Sequence, residues 1–169
     1  MDVLETKRLL LRQQSLEDIE LLHRIFADPI TMSFWQFPFT SEATKNWVRR
    51  NIHSYSQLGF GHWSIILKET QELIGDCGIL LQEIDGVLEY DLGYIIHHPY
   101  WQRGYATEAA GACKQYGLEI LKLPRLIANM PINHVASVKV AEKIGMTWQK
   151  TFNNPKNRDI ATHIYANST

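Results

Sequence analysis

Residues 4–12 (LETKRLLLR) alternate and are rich in leucine, which reads as a first strand. The period then changes. Ser15 with Asp18 three places on has the form of a capping box, and Leu16, Ile19, Leu22 and Phe26 recur at helical spacing until Pro29. Residues 32–39 (MSFWQFPF) gather five large apolar side chains around Pro38 with neither period, so this loop calls for a function of its own. Ser41 is the expected cap of a second helix carrying Ala43, Trp47 and Tyr55 on one side, closed by turn residues at 58–61. Runs at 62–67, 73–81 and 87–97 follow as an antiparallel meander, joined by the polar segment 68–72 and the Asp85-Gly86 hairpin turn.

The second half alternates differently. After Pro99 and Gly104 a helix is expected over 107–121, Pro124 ends it, and a short strand at 125–130 returns parallel to 87–97 through that helical crossover. A last helix at 137–144 stops at Gly145, and strands at 147–152 and 160–166 flank a polar loop at 153–158. The element order is βααβββαβαββ, without repeats, and residues 1–169 read as one domain.

Charge and composition narrow the partners. With 17 basic and 18 acidic residues the net charge is -1, which gives no electrostatic footprint for nucleic acid or an anionic membrane. Cys77 and Cys113 have no CxxC spacing and suit packed thiols in a reducing compartment. The opening residues lack the apolar core of a signal peptide, and no 18-residue apolar run occurs, so a soluble cytoplasmic protein is expected.

Chemistry concentrates in residues 91–120, where an apolar strand meets Pro99, a single glycine turn at Gly104 and a fresh helix. Such a turn aims backbone N–H groups and the positive end of a helix dipole at one spot, which suits an anion such as pyrophosphate. No P-loop, Rossmann or nucleophile-elbow pattern is present. Contacts to phosphate would come from consecutive amides around Gln102, Arg103, Gly104, Tyr105, Ala106 and Thr107; the alternative is a plain strand-to-helix connection.

Three separated words, TKRLLLR, GYIIHHPYWQRGYATEA and ASVKVAEKIGM, resemble the GCN5-related N-acetyltransferase (GNAT) family, in its branch of ribosomal-protein N-terminal acetyltransferases and small-molecule relatives. The similarity covers nearly the whole chain. It implies an α/β fold of the α+β kind: a mixed, mostly antiparallel seven-stranded sheet with four helices, and acetyl-CoA where the fourth and fifth strands splay apart. It sets the pantetheine arm and thioester beside the main chain of Ile96 and His97, and the pyrophosphate over Gln102 to Thr107. The family usually has glycine at the place of Gln102 and a proline one residue before Pro99. It commonly has asparagine at the place of His134, with Asn133 here one residue earlier, so either side chain is a candidate for the pantetheine arm.

The implied reaction is direct attack of a primary amine on the thioester in a ternary complex, since no Cys or Ser stands beside a His base in any motif. At pH 7 an α-amine (pKa ~7.7–8.0) costs about 1 kcal/mol to deprotonate against roughly 4.6 for a lysine (~10.4), so an N-terminal acceptor needs only a weak base. Asp91 stands where the branch often has Glu, with Glu89 on the same face; either is a candidate to take the proton. Ser137 resembles the family serine near the leaving sulfur, and Ala141 stands where other relatives carry a tyrosine. Glu108 at a helix start reads as structural. His97 and His98, adjacent on a strand, are expected to face opposite ways, and no metal is expected. Phe34, Trp35, Phe37 and Phe39 either wall an acceptor pocket or pack as core. The acceptor is a protein N-terminus or a small amine, relatives in this branch are often homodimers, and the alternative function is a non-catalytic acetyl-CoA sensor or scaffold.

Overall fold

The computed structural model describes residues 1–168. The leucine-rich run near the start is a hairpin, not one strand: β1 (Asp2–Glu5) and β2 (Leu9–Gln13) pair antiparallel across Thr6, Lys7 and Arg8. The reversal is held from far along the chain. Glu108 accepts from Thr6 Oγ1 at 2.6 Å, Arg8 N at 2.8 Å and Arg8 Nε at 2.7 Å. The other arginine of the same word, Arg12, makes two 2.7 Å bonds to the buried carboxylate of Asp18. TKRLLLR is thus a double clamp that fixes both flanking helices to the sheet edge.

The sheet therefore has eight strands rather than seven, in the order β1-β2-β3-β4-β5-β6-β8-β7. The remaining strands are β3 (His62–Leu67), β4 (Glu72–Ile84), β5 (Val87–Ile96), β6 (Ile127–Pro131), β7 (Met146–Asn154) and β8 (Ile160–Asn167). Every neighbouring pair is antiparallel except β5 with β6, the pair expected to be parallel.

Four helices cover the sheet. A 3-10 turn (Leu16–Asp18), opened by the expected Ser15–Asp18 capping box, leads into α1 (Ile19–Phe26). Leu16 is exposed, so Ile25 takes its place on the apolar face. The cap of α2 (Ser41–Leu58) is Thr40 rather than Ser41, its Oγ1 accepting from Ala43 N at 3.1 Å. Next, α3 (Tyr105–Gln115) ends in a π-turn (Tyr116–Ile120), and α4 (Val135–Lys143) starts two residues before the expected position.

Strand alternation sorts the two layers. On one face Leu92 and Ile96 of β5 pack with Trp63, Cys77, Ile79 and the small α3 residues Ala109, Ala110 and Cys113. The two thiols meet there 3.4 Å apart, free, and burial pushes the Cys77 thiol up. On the other face Ile95 packs with Leu22, Ile25, Phe26 and Val48 of α1 and α2. Asp91 and Gly93 share that second face by the same alternation.

Candidate active site

β5 and β6 share one register pair, Asp91 with Ile127, and then part. Main-chain groups of successive strand residues point to opposite sides, and His97 N donates to Ile74 O on β4 at 2.9 Å. By that parity residues 93 and 95 bond toward β4, while Tyr94 and Ile96 turn toward the gap. Unpaired buried main chain is costly, so the gap suits an amide-bearing ligand. The expected contacts at Ile96 and His97 need correction. The His97 C=O accepts from Tyr100 N at 2.9 Å and the Ile96 C=O from Trp101 Nε1 at 2.7 Å, which leaves His97 no free main-chain group. The free edge is the main chain of Tyr94 and the N–H of Ile96.

At the end of β5 the chain turns through Gln102 (φ 63°) and Gly104 (φ 80°) into α3. Gln102 adopts the left-handed conformation despite its side chain, so the turn survives that departure. No side chain caps α3, and among the described residues its first-turn N–H groups stay free. Arg103 is exposed, 5.8 Å over the Tyr100 ring, and the flanking Ala106 and Thr107 are half-buried. Tyr105 offers only its main chain, since its ring is buried beneath Arg8 at 4.4 Å. Arg8 also donates to Arg103 O at 2.8 Å, which braces the turn from behind. Glu108 has the structural place expected of it: burial would raise its carboxyl, but Thr6 and Arg8 hold it low.

A cavity of about 630 Å³ opens on the α2 side of β5 and reaches the gap. Phe34, Trp35, Phe37 and Phe39 line it, along with Asp91, Gly93, His134 and Ser137. The aromatic loop does both things considered for it. Phe39 packs on Phe26 at 5.1 Å, whereas Phe34 stacks on His134 at 3.8 Å and 8° across the mouth, its C=O held by Asn157 Nδ2 at 2.9 Å. Asn133 is exposed and does not line the cavity, so of the two pantetheine candidates His134 faces it.

The candidate reacting groups separate clearly. Asp91 is buried, accepting from Gln82 Nε2 at 2.7 Å and Asn129 Nδ2 at 3.1 Å; burial pushes its carboxyl up, and the two amides oppose this only in part. It is the one carboxylate lining the cavity among the described residues. Glu89 lies outside the lining, 3.4 Å from Arg125 Nε. Ser137 Oγ donates to the Tyr94 hydroxyl at 3.1 Å, and that hydroxyl donates to Ser137 O at 2.8 Å. Tyr94 was missed as a site residue; it lines the cavity and its hydroxyl is paired with Ser137. Missed too was His62 of β3, whose Nδ1 bonds Asp76 of β4 and whose ring lines the cavity.

The expectation for His97 and His98 fails. His98 leaves the strand to start a 3-10 turn, so both rings converge on Asp28, with His98 Nδ1 at 2.6 Å and His97 Nε2 at 3.8 Å from Oδ2. Burial would raise the Asp28 carboxyl, yet bonds from Thr31 and His98 hold it far below the usual range. The cluster clamps the end of α1 to the end of β5.

His134 gives a testable pH dependence. Burial lowers its imidazole to about 4, against ~6.5 for an unperturbed one. Between those values the unfolded chain binds more protons, so His134 lowers stability as pH falls through the window and leaves it unaffected above. The expected loss from this group between pH 7 and pH 5 is about 2 kcal/mol. Urea unfolding at both pH values should find it in the native protein and not in His134→Gln.

The match to known proteins agrees with this geometry. Residues 8–147 match the family model of the acetyltransferase (GNAT) domain, and the chain belongs to that family. It is 33% identical over 161 residues to the uncharacterized protein YkkB of Bacillus subtilis, covering 95% of this chain and 93% of that one. It is 29% identical over 172 residues to the uncharacterized N-acetyltransferase p20 of Bacillus licheniformis, covering 98% and 96%. A crystal structure of a GNAT-family acetyltransferase from Bacillus anthracis superposes with a TM-score of 0.80 at 29% identity, covering 98% and 97%. The chain is an acetyl-CoA-dependent N-acetyltransferase by family, and the free β5 edge with the uncapped α3 turn fits that donor.

Proposed function

We propose that the protein acetylates a single primary amine, the α-amine of a peptide N-terminus or of a small molecule, by direct attack in a ternary complex. The observation that carries this reading is a cavity reaching the β5–β6 gap with one carboxylate, Asp91, among aromatic walls. A polyamine carries several charges and would call for several carboxylates; here the other charged lining residue is Lys156. The resemblance to the ribosomal-protein branch supports the same choice.

Acetyl-CoA supplies an activated thioester carbonyl. Around it the chain's residues divide the work: the amides of the turn and the first α3 residues, from Gln102 to Thr107, with the Arg103 side chain, would hold the pyrophosphate, and Tyr94, Ile96 and His134 would hold the pantetheine arm. Asp91 attracts the incoming ammonium. Ser137, in its bond with the Tyr94 hydroxyl, stands as proton donor to the departing sulfur; burial pushes the Tyr94 hydroxyl up, which keeps its proton in place. Ser137 is partnered by Tyr94 rather than by a histidine base, and both cysteines are buried, which supports direct transfer over a covalent relay. No helix among the described residues is long and apolar enough to cross a membrane.

The test is calorimetric titration with acetyl-CoA followed by free-thiol release over a panel of N-terminal peptides, monoamines and polyamines. Binding with release on peptides or monoamines is expected. Release only with polyamines would overturn the acceptor class, and binding without release from any amine would favour the sensor alternative.

A further inference from the structure

We propose that His62 is the base that takes the proton from the acceptor amine, with Asp76 as the positioning residue behind it; this rests on the transferase reading above. The argument begins with a row across the sheet. His62 pairs with Gly78, and Gly78 with Gly93, so the three stand in line on the cavity face of β3, β4 and β5. The imidazole lies along that row. A Cβ at Gly93 would meet its Cε1 at 2.7 Å and its Nε2 at 3.1 Å. The absent side chain at 93 is what gives the ring room to reach β5 just beyond Asp91, where β5 and β6 part.

The hydrogen bonds set the ring's chemistry. Asp76 is fully buried and accepts from Gln14 Nε2 at 2.6 Å, Trp47 Nε1 at 3.0 Å and His62 Nδ1. Asp76 gathers N–H donors from Gln14 and Trp47, and the same acceptor role toward His62 sets the hydrogen on Nδ1, so that a neutral ring keeps its lone pair on Nε2. His62 is only 4% exposed, yet its Nε2 makes no hydrogen bond among the described residues and the ring borders the cavity. The nitrogen is not among the buried atoms left without a partner, so it opens to the cavity, where a substrate or water can meet it. The ring is also held still: Asn51 Oδ1 accepts from His62 N at 2.8 Å, the Tyr55 hydroxyl donates to His62 O, and Trp47 stands edge-on at 4.9 Å. A base oriented by a buried carboxylate is the arrangement that proton transfer from a nucleophile requires.

Asp91 suits a different task. Its oxygens are turned to the Gln82 and Asn129 amides and it brings the cavity lining its one carboxylate, whereas His62 Nε2 has no partner among the described residues. Two protons leave the amine nitrogen overall: one passes to His62 Nε2 and on to solvent, the other ends on the sulfur. The freed nitrogen lone pair forms the C–N bond as the C–S pair departs on that sulfur. The titratable groups around His62 are Asp76 of β4, Asp91 of β5 and Tyr55 of α2, with the Asp18–Arg12 pair beyond Ser64.

The experiment compares the native enzyme with His62→Gln, His62→Ala and Asp76→Asn, measuring kcat and kcat/KM against pH and the Kd for coenzyme A. Both His62 variants should keep their Kd, lose ~10²–10³-fold in kcat and lack one ionisation present in the native profile. Imidazole added to His62→Ala should restore part of the rate, and Asp76→Asn should displace that ionisation. Native-like kcat and pH profile in His62→Gln would overturn the proposal alone; no amine-dependent thiol release from the native enzyme would overturn it together with the transferase reading. Should the variants fail to fold, nitrogen-15 NMR of the native protein decides: a proton found on Nε2 of the neutral His62 ring sinks the assignment, and one on Nδ1 sustains it.

Discussion

Gly104→Trp will weaken coenzyme A binding by at least ~100-fold, about 2.7 kcal/mol, while the protein stays folded. Gly104 sits at φ 80°, where any side chain is strained, and a Cβ there would meet Arg8 Nη2 at 3.3 Å. Arg8 cannot swing aside freely, because Glu108 and Arg103 O hold its guanidinium. An indole at this position must therefore turn outward, over the free N–H groups of the first α3 turn that are to receive the pyrophosphate. Gly104→Ala adds a methyl group only and should lose less. Gln102→Gly, which relieves a left-handed non-glycine residue, should bind at least as well as the native protein. Calorimetric titration with coenzyme A measures all three, with far-ultraviolet circular dichroism as the control for folding. Near-native affinity in the tryptophan variant would mean that the phosphates do not cross this turn.

Helix and meander were legible because their periods are local. The opening hairpin was not, since the partner that bends it, Glu108, lies 100 residues from Arg8. Thr40 and Ser41 are adjacent hydroxyls, and nothing in their order says which one will cap α2. Alternation along β5 was visible, but its parity is fixed by the bond from His97 N to Ile74 O, which moves the free edge from His97 back to Tyr94. The His62–Asp76 pair shows the limit best. Counted back from the β3–β4 loop, where Leu67 pairs with Glu72 and Ile66 with Leu73, a regular register would set Asp76 opposite Trp63, on the face away from His62. A bulge between Ile65 and Ile66 shifts the count by one, so Asp76 stands opposite Ser64 and shares the face of His62. One irregular residue thereby decides whether the imidazole has a carboxylate behind it, and no spacing rule reveals that from a single sequence.

Asp91→Asn will lower kcat/KM for the amine about 100-fold while the affinity for coenzyme A stays within about threefold, the loss of ~3 kcal/mol expected when one partner of a buried charge contact is removed. The change keeps the size of the side chain and removes the single negative charge that lines the cavity among the described residues. It should appear chiefly in KM for the amine, which separates it from His62, whose loss falls on kcat and on the pH profile. Stability should move the other way. Burial raises the Asp91 carboxyl above its unfolded value, so the folded state holds the proton more tightly and stability falls as pH rises through that window. A buried carboxylate is thus a burden on the fold wherever it is ionised, and the asparagine variant should melt at the same temperature or higher. A variant that is less active and no less stable is the signature of a group kept for binding rather than for packing. If Asp91→Asn instead lowers the melting temperature and leaves amine kinetics intact, the carboxylate belongs to the scaffold, and the ammonium must be held elsewhere in the cavity.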